Sequence, residues 1–128
     1  MPEMEKLTIN LSPVDLGRIE LLVEQGFYAN RAEFIRVAIH GLLSKHEEAI
    51  RESASRGSFV IGAVHYSRKG LEEHLRAGKR IAVRVVGYLS IDEDVTPELA
   101  SGVIESVSVR GIFRASATVK AALAERTA

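Results

Sequence analysis

From Lys6 to Leu11 the chain alternates strictly: Leu7, Ile9 and Leu11 are apolar, while Lys6, Thr8 and Asn10 are polar. A period of two predicts a half-buried strand. The period changes at Ser12. Ser12 offers an N-cap oxygen, Pro13 fits a first helical turn, and Asp15 completes a Ser-x-x-acid capping pattern. Leu16, Ile19, Leu22 and Val23 then recur at helical spacing, and Gly26 supplies a stop because glycine enters the left-handed region cheaply. After Phe27-Tyr28-Ala29, Asn30 caps again with Glu33 three residues on. A second helix is predicted from Arg31 to about Glu52, with Phe34, Ile35, Ala38, Ile39, Leu42 and Leu43 as its apolar positions.

One strand and two helices of roughly 50 residues have too little interior to bury that much apolar surface. A single strand also leaves its backbone groups unpaired. Both arguments predict an intertwined dimer in which the strand pairs with its own copy across a two-fold axis.

The segment Ser53-Ala54-Ser55-Arg56-Gly57-Ser58 is small, polar and flexible, and the grammar changes across it. Residues 1–56 contain three glycines and residues 57–128 contain seven. The expected boundary lies near residue 55, giving domains 1–55 and 56–128. Read at an offset of 24, the second half repeats itself: Phe59, Val83 and Val107 correspond, as do Ile61, Val85 and Val109. Ala63, Gly87 and Gly111 follow, then His65, Leu89 and Phe113, then Leu71, Val95 and Val119, then Leu75, Leu99 and Leu123. This predicts three stacked strand-helix units with parallel strands. The alternative is a small α/β sandwich of the ACT type. The overall fold class expected is α+β, a β-α-α unit followed by a small α/β domain.

Composition narrows the function. Apolar residues make up 46% and charged residues 27% of the 128, as in a globular chain, and the formal net charge is zero. A large basic excess, the simplest sign of nucleic-acid binding, is therefore missing. With no cysteine there are no disulfides, thiolate metal sites or cysteine nucleophiles. No apolar run approaches the roughly 18 residues of a membrane span, and no signal-peptide core is present at the N-terminus. The expectation is a cytoplasmic protein.

The alternating strand, the Ser12-Pro13 helix start and the stretch GFYANRAEFIRVAI from Gly26 to Ile39 together resemble a ribbon-helix-helix DNA-binding domain of the CopG/Arc type over about residues 5–48. The resemblance implies a dimeric, antiparallel β-ribbon that enters the major groove of double-stranded DNA. It places Lys6, Thr8 and Asn10 against base edges and assigns Asn30, Arg31, Ala32 and Arg36 to phosphate contacts. Lys6 can donate to guanine, Asn10 can pair with adenine in two bonds, and Thr8 brings a hydroxyl and a methyl group. Free amides at the start of the second helix favour an anion there. One departure is electrostatic: residues 1–56 hold seven Lys/Arg against nine Asp/Glu, so binding to random DNA is expected to be weak.

Other chemistry is sparse. His40, His46, His65 and His74 show no paired metal-ligand spacing, so no metal site is expected. His65, at a position aligned with Leu89 and Phe113, reads as a core or rim residue. Asp92-Glu93-Asp94 lacks the glycine and spacing of a calcium loop. No phosphate loop, nucleophile elbow or His-Glu-x-x-His is found, and neither catalysis nor a cofactor is expected. The reading is a transcriptional regulator, a repressor acting as a homodimer or larger assembly, whose C-terminal half serves self-association or sensing. Its rivals are an antitoxin-like protein that binds a partner toxin and a small-molecule-responsive regulator.

Overall fold

A computed structural model describes residues 4–128, which divide into two compact units, 4–52 and Ser53–Ala128. In the first unit α1 spans Pro13–Glu24 and α2 spans Arg31–Lys45. Both begin as their caps dictate. The Asp15 amide donates to Ser12 Oγ at 3.2 Å, and the Glu33 amide donates to Asn30 Oδ1 at 2.8 Å. Gly26, just past α1, has φ +84°.

One expectation for this unit needs correction, and another reaches beyond a single chain. Residues 4–12 form no strand. A strand is defined by its ladder, and among the described residues the segment from Lys6 to Leu11 finds no second strand to bond. The long helix from Arg31 is also broken: α2 ends at Lys45 with His46 as its C-cap, and α3 spans Glu47–Arg56. The His46 carbonyl accepts from the Ile50 amide at 3.0 Å, so the chain resumes its helical path at once. Lys45 in the last turn of α2 and Glu47 and Glu48 in the first turn of α3 suit the two facing helix dipoles.

In the second unit β1 (Val60–Tyr66), α4 (Arg68–Arg76), β2 (Ile81–Ile91), α5 (Pro97–Val103), β3 (Ile104–Arg114) and α6 (Ala117–Leu123) alternate. A short 3-10 turn, Ala124–Arg126, ends the chain's regular structure. The three strands are parallel in the order β1-β2-β3. Each strand is followed by a helix, which overturns the ACT-type alternative. The helices start on hydroxyl caps: Ser67, Thr96 and Ser116 accept from the amides of Gly70, Leu99 and Val119.

The core lies between the helices and one face of the sheet. Leu71, Leu89, Val103, Ile104, Val119 and Leu123 are fully buried, joined by Val83, Val85, Ile91 and Val107. Burial on β2 alternates, with Val83, Val85, Leu89 and Ile91 inward and Arg84, Val86 and Tyr88 on the other face.

The repeat itself is offset differently from the reading at 24. Gly62 pairs with Gly87, and Gly87 pairs with Gly111, so the first step is 25 residues and the second 24. Val60, not Ile61, lies beside Val85, and Val64, not His65, lies beside Leu89. Apolar residues on both faces of β1 hide such a slip, because a one-residue shift exchanges one apolar set for another. The glycine row fixes the true register. All three have φ between 130° and 140°, which side chains rarely adopt.

Candidate nucleic-acid interface

Lys6, Thr8 and Asn10 are all exposed, as are their apolar neighbours Leu7 at 79% and Ile9 at 56%. Exposure of both alternating sets is the notable feature. A half-buried strand needs something against its apolar side, and nothing within the described part of the first unit provides it. The helices repeat the pattern: Ile19 is the one buried residue of α1, and α2 has none. Val37, Ile39, Leu42 and Leu43 on α2 are each about half exposed. Burying any one of them fully is worth about 1.5–3 kcal/mol. The unit thus displays the interior of a larger fold.

At the entry to α2 the chain is held tightly. Asn30 caps through its side chain, and the Glu33 carboxylate reaches back to accept from the Ala29 amide. Tyr28 packs its ring edge-to-face on Phe34, centroids 5.0 Å apart. Together these fix the first turn that carries Asn30, Arg31 and Ala32, all exposed. A helix start with exposed amides attracts anions. Arg31 extends from it but is 3.5 Å from the Glu20 carboxylate of α1. Sequence reasoning missed Glu20, because the pair joins two helices across a turn rather than neighbours on one helix.

The model of the ribbon-helix-helix transcriptional regulator family matches residues 2–120. The chain belongs to that family. The match extends beyond the β-α-α segment through most of the second unit, so the α/β repeats are part of what this family's pattern covers. Searches of curated proteins and of solved structures return no match. Membership identifies the chain as a DNA-binding transcriptional regulator of the ribbon-helix-helix kind.

Arg36, the remaining residue expected at a phosphate, is exposed on α2. It lies on a groove with Glu33, Val37, His40, Gly41 and Ser44. The residues expected at base edges and those expected at phosphates thus share the first unit. Lys6, Thr8 and Asn10 sit on the segment leading into α1, and Asn30, Arg31, Ala32 and Arg36 on the first turns of α2.

The second unit holds groups that sequence reasoning placed otherwise. His65 is exposed and pairs in register with Ser90, not with the core. Its Nδ1 is 2.9 Å from Ser90 Oγ and its Nε2 is 3.0 Å from Asp92 Oδ1, which ties the acidic loop after β2 to β1. His74 Nδ1 donates to the Gly70 carbonyl at 2.9 Å. No cluster of three metal-ligating side chains occurs among the described residues, and none of their helices is long and apolar enough to cross a membrane. On the sheet face opposite the core, the guanidinium groups of Arg84 and Arg110 both lie over the Phe59 ring, 4.6 and 5.6 Å from its centroid.

Proposed function

We propose that two copies of this chain pair their segments from Lys6 to Leu11 as an antiparallel ribbon. The ribbon enters the DNA major groove, where Lys6, Thr8 and Asn10 read base edges. Asn30, Arg31, Ala32 and Arg36 hold the flanking phosphates and set the register of the protein on the duplex. The protein represses by occupying a promoter in the cytoplasm, as residues 1–55 bind DNA and residues 56–128 draw copies together.

One observation carries this reading. The first unit exposes apolar residues on the segment before α1 and on α2 at once, surface that a second copy would cover. Pairing also supplies the hydrogen bonds that the segment lacks within one chain. The acidic balance of residues 1–56 fits a protein that depends on base contacts rather than on counterion release.

Selection from random double-stranded DNA tests it. A single enriched site is expected, with two-fold or tandem half-sites. Asn10→Ala and Lys6→Ala should then each relax one position of that site at a cost of about 1–3 kcal/mol. Failure to enrich any sequence, with the folded protein in excess, overturns the reading.

A further inference from the structure

The glycine row of the sheet ends on an open side. A Cβ on Gly111 would lie 2.0 Å from the Gly87 carbonyl oxygen, and one on Gly87 would lie 2.2 Å from the Gly62 carbonyl oxygen. Each missing side chain is thus the space into which the preceding strand's backbone fits. Gly62 repeats the same conformation at φ +140°, yet a Cβ there would meet nothing within 4 Å. The edge strand has the vacancy that receives a neighbouring backbone, and no strand among the described residues fills it.

The two edges of the sheet differ in a second way. The start of β3 is covered by the chain's own C-terminal residues: Thr127 bridges Val107, the Ala128 amide donates to the Val107 carbonyl at 2.9 Å, and Arg126 donates to the Ile104 carbonyl at 2.9 Å. Among the described residues β1 pairs with β2 alone. Its sequence, Val-Ile-Gly-Ala-Val-His-Tyr, has no Lys, Pro, Asp or Glu, the residues that guard free edges. Val60 and Ile61, which point to opposite faces, are 56% and 54% exposed. A row of free amides and carbonyls flanked by apolar side chains fits another strand.

We infer that the free edge of β1 pairs with β1 of a second copy, antiparallel across a two-fold axis centred near Ala63, to make one continuous six-stranded sheet. This deepens the self-association reading of the second half and rests on it. The same edge on both copies is self-complementary, as an isologous contact requires. Charge does not oppose it, since β1 carries no Lys, Arg, Asp or Glu, and pairing places Ile61 of one copy beside the partner's His65.

The absence of cysteine makes a direct test available in the full chain. Under oxidising conditions Ala63→Cys should form a disulfide-linked pair, because facing residues of an antiparallel pair bring their Cα atoms to about 4.5–5.5 Å, inside the range that a disulfide spans. Ile61→Cys and His65→Cys should each stay unlinked alone and link to one another when the two variants are mixed. Sedimentation of the wild type and of Ile61→Lys accompanies this, with thermal melting to confirm that each variant folds. Loss of higher assembly in Ile61→Lys supports the proposal. If the wild type assembles further, Ile61→Lys does so equally, and Ala63→Cys stays single, association stands and this edge is the wrong surface. If the wild type forms no contact through its second half and Ala63→Cys stays single, the self-association reading itself fails. Linking of Ile61→Cys to itself as readily as Ala63→Cys overturns the two-fold register.

Discussion

The carbonyl oxygen of Gly62 lies where a Cβ on Gly87 would have to go, 2.2 Å from it. Gly87 therefore has two reasons to be glycine, its φ of 137° and this backbone approach. Gly87→Ala should destabilise the second unit by about 3–5 kcal/mol, since the clash adds to a strain of roughly 1–3 kcal/mol. Gly62→Ala meets no atom of its own chain and should cost the fold of that chain only the strain. Urea denaturation of the two variants side by side checks the order, and equal losses would show that the close approach contributes nothing.

Exposed apolar residues on α2 predict that the first unit is stable only when paired. Its melting should shift upward with protein concentration, whereas a unit that completes its core within one chain should not respond. Leu42→Glu should abolish DNA binding and lower helical content while leaving the second unit's transition in place. Calorimetry over a hundredfold concentration range separates the two transitions.

The Glu20 carboxylate beside Arg31 competes with any phosphate that Arg31 would hold. Arg31→Ala should weaken binding to all DNA sequences alike and make the logarithmic salt dependence shallower by about one ion for each phosphate left unneutralised. Glu20→Gln should do the reverse, raising affinity uniformly without altering which site is preferred. Because the exposed pair itself is worth at most about 1 kcal/mol, the change in folding stability should be small. Titrations at several salt concentrations measure both effects.

Burial raises the Tyr66 phenol above its ordinary value of 10.0. The folded state holds the neutral phenol more firmly than the unfolded chain does. Its contribution to stability is therefore complete below about pH 10 and is lost as the pH climbs through the raised value. Tyr66→Phe should lack that alkaline component. Denaturation midpoints between pH 8 and 11 for the two proteins give the comparison.

Local signals were legible in the sequence and long-range ones less so. Ser12, Asn30 and Gly26 act within three or four residues, and each stands where its side chain or conformation predicts. Alternation within β2 was equally plain, because β2 has one buried face and a one-residue slip would expose Val83, Val85 and Leu89. β1 is apolar on both faces and gave no such warning, so its true partner residues emerged only from the glycine pairing. The break at His46 left a faint trace, Lys45 before it and Glu47-Glu48 after it, which charge at helix ends explains. Arg31 was visible as a cation, while Glu20 was not visible as its partner, since nothing local links them. The segment from Lys6 to Leu11 shows the opposite gap: its pattern is clear in the sequence, and no strand among the described residues pairs with it.

The unequal steps along the glycine row, 25 residues and then 24, bear on how this half tolerates change in length. The turn at Gly78 and Lys79 or the loop at Glu93 and Asp94 can absorb an inserted residue without moving a strand. A deletion inside a strand cannot be absorbed, because it would carry a side chain into the slot kept for a carbonyl. Alignment position, rather than spacing, is what the sheet enforces.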